Sequence, residues 1–375
     1  MHQKKIKLVQ VTADAAVGGG SSHILGLLQN LDFTKFEISL ICPSGYLSKE
    51  AKKISGLQVF NIPMKSKFDL VSIFSLKKIL EQIEASGDPF GPMIIHSHGP
   101  RANLFVAISA PNLAIKLYTE HIYNYDYRLK SWFNNFVQKK LMSFCYKRNN
   151  LVLAVSSSVK SFLVQTSLLP EDRVVVVPNG IDLAKFQSKT KKIKTTNLTP
   201  VIGTVGSLNK EKSQSDLITA FATIVKRYPL ARLEIVGEGN LKQELKELAL
   251  RLKISRNVAF LGRKSDVVEY LRKWDVFVLS SKSETFGIAA LEALAAGVPV
   301  VASNVGGIPD IIENRQEGIL VSSGAPEEIA KAVIELIEHP AFAASLKRRG
   351  LAKAKAYSWK NIVKKIEEIY LILVG

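Results

Sequence analysis

The sequence predicts an α/β protein of two units, each a mostly parallel sheet wound with helices. Three observations predict it. Short runs rich in β-branched residues alternate with longer helical segments along the whole chain. A polar, basic, patternless stretch, QSKTKKIKTTNLTP over residues 187–200, interrupts that alternation and reads as a linker. At 375 residues the chain exceeds a typical single domain and suits two. The expected divisions are 1–186, 187–200, 201–356 and a C-terminal segment, 357–375, that caps the second unit or crosses back to the first.

The elements follow in order. Strands of the first unit are expected at 6–11, 38–41, 57–62, 93–96, 116–119, 151–155 and 174–177, with helices between them at 23–31, 76–83 and 132–146. The second unit has expected strands at 201–205, 232–236, 258–261, 276–279 and 298–302. Residues 359–374 read as a helix, with Ile362, Val363, Ile366, Ile369 and Tyr370 at helical spacing. Ligands of parallel sheets bind beyond the carboxyl ends of strands. The turns that follow strands are therefore where chemistry is expected.

Composition narrows the class. Hydrophobic content of 47% supports full cores. The two cysteines, Cys42 and Cys145, lie far apart and form no metal-ligand pattern, which fits a reducing compartment. The apolar run near the N-terminus is broken by Gln10, Asp14 and three glycines, so it reads as a first strand rather than a leader. No apolar run reaches membrane-spanning length. The expected location is cytoplasmic, peripheral on the inner face of the cytoplasmic membrane. Net charge is +18, which favours an anionic partner. Residues 101–150 carry eight Lys/Arg against Glu120 and Asp126, interleaved with Tyr123, Tyr125, Tyr127, Trp132, Phe133, Phe136, Phe144 and Tyr146. That window suits an anionic membrane surface, with a core helix bearing a solvated basic face as the alternative. No recognised nucleic-acid motif occurs, and nucleic acid is not an expected partner.

The motifs sit at strand ends. Glu284 and Glu292 lie eight residues apart with Gly287 between them, after an apolar strand and around the start of an alanine-rich helix. Carboxylates there suit hydroxyls, and the open N–H groups of Phe286, Gly287 and Ile288 suit a phosphate. A buried helix with one capping glutamate is the alternative. Gly18-Gly19-Gly20 follows the first strand as a phosphate cradle or a flexible turn. His96 and His98 end the fourth strand on one side of it, as cleft hydrogen-bonding groups or as satisfied structural histidines; His121 ends the next strand. No acidic or sulfur partner stands at metal-ligand spacing to them. Val177-Pro178-Asn179-Gly180-Ile181-Asp182 and Ala154-Val155-Ser156-Ser157-Ser158 read as a turn and a capped helix start. Gly203-Thr204-Val205-Gly206-Ser207 with Lys210 and Lys212 opens the second unit, where a lysine can pair with a diphosphate. Ile235-Val236-Gly237-Glu238-Gly239 is a further strand-end turn. There is no DxD pair for a metal–diphosphate, no GxSxG elbow and no zinc signature.

Taken in order, these motifs resemble glycosyltransferase family 4, retaining enzymes of GT-B fold. Phe260-Leu261-Gly262, Gly306-Gly307-Ile308-Pro309-Asp310 and Glu317-Gly318-Ile319-Leu320-Val321 complete a set of ten that covers nearly the whole chain. The resemblance implies two Rossmann-like doubly wound domains facing across a cleft, an NDP-sugar donor, UDP first among bases, and no metal or cofactor. It implies that Glu284 bonds the donor sugar, Glu292 the ribose, Lys212 the phosphate, and the N–H groups of Phe286, Gly287 and Ile288 the diphosphate. It places Gly19, Gly20 and Gly237 near the donor, Arg263 and its turn at the base, and His98 at the reacting centre. This chain has Ser207 where the family often has arginine, so one phosphate contact is lost or taken over by Lys210. The implied acceptor is a sugar or a lipid-linked sugar of surface polysaccharide or glycolipid synthesis. Other readings are a UDP-sugar epimerase of the same fold and a non-catalytic sugar-nucleotide binder.

Overall fold

The computed structural model describes residues 5–16, 18–86, 91–121, 132–166, 168–186 and 199–375, with backbone only over 132–139. The chain forms two compact units, Met1–Gly180 with Trp359–Gly375, and Ile181–Ser358. The division falls at Gly180. By Ile181 the chain has joined the second unit, where its N–H donates to the Tyr357 carbonyl at 2.9 Å and it bridges Ser358. Residues 187–198 of the expected linker lie outside the described residues.

The first unit holds β1 (Ile6–Thr12), β2 (Phe36–Cys42), β3 (Gln58–Asn61), β4 (Met93–His98), β5 (Ile115–Glu120), β6 (Leu151–Ala154) and β7 (Val174–Val176), in the sheet order β3-β2-β1-β4-β5-β6-β7. The second holds β8 (Val201–Val205), β9 (Arg232–Val236), β10 (Val258–Gly262), β11 (Val276–Leu279), β12 (Val300–Ser303) and β13 (Ile319–Val321), in the order β10-β9-β8-β11-β12-β13. Every pairing in both sheets is parallel. Both are the doubly wound, Rossmann-like sheets expected. β13 was not expected as a strand: three residues at a sheet edge carry no readable period.

The central strands read as continuous apolar runs because both of their faces are buried. Along β1, Ile6 and Leu8 enter one core with Ile24, Leu27 and Leu28 of the helix Gly19–Leu28. Val9 and Val11 enter the opposite core with Leu76, Leu80 and Phe105. The second unit packs Ile202, Leu233 and Ile235 of its strands against Leu217, Phe221 and Ile224 of the helix Gln214–Arg227.

The C-terminal helix Trp359–Val374 belongs to the first unit. Its residues Ile362, Val363, Ile366 and Tyr370 are buried in the core that contains Leu8. Trp359 lies against two glycines from distant parts of the chain. A Cβ on Gly26 would fall 2.0 Å from the indole, and one on Gly180 2.5 Å from it. Neither glycine needs an unusual φ; each is small because the indole occupies the space. We expect Gly26→Ala to destabilise the chain by about 1–3 kcal/mol through overpacking, read in urea denaturation. Gln29→Ala at the exposed C-cap of the same helix should change little.

Candidate functional site

In the second unit β11 runs into a turn and then the helix Ile288–Ala295. The turn is tied to the loop after β8. Ser280 Oγ donates to the carbonyls of Ser213 (2.9 Å) and Lys212 (3.2 Å), and Lys282 N–H donates to the Glu211 carbonyl at 2.7 Å. These bonds deliver Lys212 to Glu284. Lys212 Nζ donates to Glu284 Oε1 at 2.5 Å, and Ser281 Oγ donates to the same oxygen at 2.8 Å. Glu284 is buried while Lys212 keeps an exposed edge.

The loop after β12 fixes this turn from the other side. Gly307 N–H donates to the Glu284 carbonyl at 3.0 Å. A Cβ on Gly306, at φ +55°, would fall 1.7 Å from that same carbonyl oxygen. Gly287, at φ +96°, would place a Cβ 2.3 Å from Ile308 Cδ1. Two glycines and Ile308 thus hold the backbone of Glu284 and the opening of the helix in one geometry. The first N–H groups of that helix have no intrahelical acceptor and carry its partial positive charge. Phe286 beneath them is buried, with its ring centroid 5.9 Å from that of Tyr357.

Glu292 stands further along the helix and takes no part in the Lys212 pair. Burial pushes its carboxyl up to about 7; Lys185 opposes this and Asp266 adds to it. Ser207 is exposed, and its carbonyl accepts from Gln214 Nε2 at 3.0 Å. Gly237 has φ +151°, and a Cβ there would fall 1.8 Å from the Gly206 carbonyl oxygen. Its glycine is thus required by the fold, where two strand-end turns cross. Arg263 is exposed after β10 and makes no side-chain contact among the described residues.

In the first unit Gly19 and Gly20 already belong to the helix, which begins earlier than the expected Ser21–His23. Gly18, Gly19 and Gly20 have ordinary φ values, and a Cβ on any of them would meet nothing within 4 Å. The fold itself demands no glycine there, which leaves a bare, open helix start after β1.

The histidines gather at the ends of β4 and β5. His96 is locked: Nδ1 meets the Tyr370 hydroxyl and Nε2 the Thr119 hydroxyl, both at 2.6 Å. Gln10 Nε2 donates to the Tyr370 hydroxyl at 3.0 Å, and Gln10 Oε1 accepts from His98 Nε2 at 2.7 Å. His98 Nδ1, both ring nitrogens of His23, and His121 Nε2 are buried without a hydrogen-bond partner. Nitrogens of His23, His98 and His121 all lie within 4.8 Å of one another. Burial, reinforced for His23 and His98 by neighbouring imidazoles, lowers His23 and His98 well below the usual range and His121 to about 4. All three are neutral near pH 7.

Of the residues expected at a site, the structure joins Lys212 to Glu284 and sets both beside Gly287 and Ile288. It joins His98 to His23 and His121. Sequence reading gave no role to His23, Gln10, Ser281 or Lys185. No local pattern marks His23, Gln10 or Lys185, because each acts through a partner on another element, and Ser281 bonds Glu284 within one turn that has no distinctive sequence.

A family model described as glycosyl transferases group 1 matches residues 185–353, and one described as Glycosyltransferase Family 4 matches residues 17–185. The chain is 27% identical to the capsular polysaccharide biosynthesis glycosyltransferase CapM of Staphylococcus aureus, over 98% of this chain and 97% of that one. It is 29% identical to an uncharacterized glycosyltransferase of Methanocaldococcus jannaschii, over 95% of each. The crystal structure of HepE of Anabaena in complex with UDP matches with a TM-score of 0.79, covering 97% of this chain and 99% of that one at 18% identity, a likeness of fold. Two family models that meet at residue 185 and together span 17–353, with relatives of nearly equal length, make this chain a glycosyltransferase of family 4 with the GT-B type of fold.

Proposed function

We propose that the chain transfers a hexose from an NDP-sugar, UDP-sugar first, with retention of configuration and without a catalytic metal. The observation that carries this is the Lys212–Glu284 pair beside the open start of the helix Ile288–Ala295. A diphosphate entering there meets a cation and a row of N–H groups, the charge that other sites draw from a divalent ion. Lys212 passes to the phosphate, and the freed Glu284 carboxylate accepts from sugar hydroxyls. The bond from the anomeric carbon to the phosphate oxygen breaks, and the acceptor oxygen bonds on the same face. The acceptor proton leaves on the departing phosphate. The UDP held by HepE supports the choice of base, and the name of CapM supports a surface polysaccharide as the destination. A thermal-shift screen of nucleotide sugars, followed by NMR of the product, tests the reading. One donor should stabilise the chain and give a retained anomeric centre. An inverted product, a sugar adduct trapped on a side chain, or an epimer formed without acceptor would overturn it.

Glu292 serves the ribose hydroxyls in this reading, and its ionised form is the acceptor. Its raised value stabilises the unliganded fold below the usual carboxylate range, and that contribution is lost as pH rises through about 7. Nucleotide binding runs the other way. UDP affinity should rise about tenfold from pH 6 to pH 8, as the competent ionised fraction grows. Glu292→Gln, measured by calorimetry, should flatten that profile; an unchanged profile would remove Glu292 from the nucleotide site.

The acceptor side of the reading places the first unit at an anionic lipid surface. The basic–aromatic window over 101–150 is not what supports this. Residues 122–131 and the side chains of 132–139 lie outside the described residues. In the described part, Arg101, Lys116 and Arg148 donate to backbone carbonyls, and Tyr146 is buried on Glu120. The support comes from the start of the helix Leu70–Ala85. Phe68 is 87%, Leu70 75%, Val71 78% and Phe74 70% exposed. Lys65, Lys67, Lys77 and Lys78 surround them, while Asp69 is turned inward to cap the helix through Ser72. Four apolar side chains ringed by lysines suit the boundary of an anionic bilayer. Flotation with phosphatidylglycerol vesicles should recover the chain, and Phe68→Ser with Phe74→Ser should lower the bound fraction about tenfold or more. Equal flotation of the variant would contradict this surface.

A further inference from the structure

We propose that His23, His98 and His121 form a binding site for one transition-metal dication of the Zn2+ class. The three side chains come from three elements: the helix after β1, the end of β4 and the residue after β5. Their ring nitrogens lie within 4.8 Å of one another, and they are the only group of three or more His, Cys, Asp or Glu among the described residues so placed.

Four of the ring nitrogens are buried with no partner, two of them on His23. Buried polar nitrogens are rarely left this way, and four in one place call for an occupant. The tautomers suit a metal. Tyr370 accepts from Gln10 Nε2, which orients the Gln10 amide oxygen toward His98. Gln10 Oε1 takes the His98 Nε2 proton, which leaves a lone pair on His98 Nδ1, a buried nitrogen without a hydrogen-bond partner. A ligating imidazole is commonly oriented in this way, by a partner on its second nitrogen. Burial also keeps all three rings neutral, the form that binds metal.

Nitrogens at ~2.1 Å from one tetrahedral ion lie roughly 3.4 Å apart. Closing that gap requires a shift of the buried His23 ring, whose nitrogens make no hydrogen bond and whose centroid lies 4.5 Å from that of His121. Three imidazoles and no carboxylate select Zn2+, Co2+, Ni2+ or Cu2+, and not Mg2+ or Ca2+. Three protein ligands leave a fourth position for water.

The test uses the full chain, stripped with chelator and titrated with Co2+, whose visible d–d absorption reports four-coordinate binding. One equivalent should bind, Zn2+ should displace it, and Mg2+ should not. His23→Ala and His121→Ala should each weaken binding about a hundredfold, and Gln10→Leu about tenfold or more. Far-UV circular dichroism and an unaltered thermal-unfolding profile report that each variant is folded. In the unaltered chain, Co2+ should broaden the imidazole NMR signals of the three residues and spare the exposed His339. Absence of the d–d bands, bands that survive in His23→Ala/His121→Ala, or broadening centred on His339 would overturn the site.

Discussion

Parallel pairing is the constraint on which the candidate site depends. When every strand in a sheet runs the same way, every carboxyl end lies along one edge. Residues far apart in sequence then meet in the turns of that edge. Lys212 and Glu284 stand 72 positions apart and share a hydrogen bond. Within the sheet itself, His98 at the end of β4 and Gln10 of β1 stand 88 apart and share another. Central strands are buried on both faces, so the turns are where a polar side chain can stand at moderate cost.

Glycines divide by what surrounds them. Gly306 and Gly237 leave no space for a Cβ against neighbouring backbone, and both have positive φ. Gly26, Gly180 and Gly203 yield space to an indole, of Trp359 for the first two and Trp274 for the third. Gly18, Gly19 and Gly20 have neither reason, since open space surrounds them. The same residue type thus marks a crossing of backbones, a seat for tryptophan and a bare helix start. Only the last leaves room for something from outside the chain.

The sheets were legible in sequence because buried parallel strands are short β-branched runs, and twelve of them stood in the right places. β13 was too short to show. The C-terminal helix was legible from its period, but its place on the first unit was left open. Period alone cannot say which core receives Tyr370. The glutamate pair was legible by spacing, yet its labour was not. Nothing in the sequence says that Glu284 is neutralised by Lys212 while Glu292 is left with a raised carboxyl. That difference arises from which side chain the loop after β8 brings near. His23 lay unmarked because its partners stand on β4 and after β5. In the basic–aromatic window, composition could not show that Arg101, Lys116 and Arg148 donate to backbone carbonyls; residues 122–131 and the side chains of 132–139 lie outside the described residues.

We propose that the Lys212–Glu284 bond is the resting state of a donor site and breaks when a donor arrives. Glu284 is buried, and its Lys212 partner reaches open space, so an incoming phosphate competes for the ammonium and sugar hydroxyls for the carboxylate. A crystal structure with an intact, unreactive UDP-sugar analogue tests it most directly. Lys212 Nζ should lie within hydrogen-bond distance of a phosphate oxygen and Glu284 on a sugar hydroxyl, with the 2.5 Å contact between them lost. A bound donor with that contact unbroken, or a diphosphate seated away from Gly287 and Ile288, would contradict it.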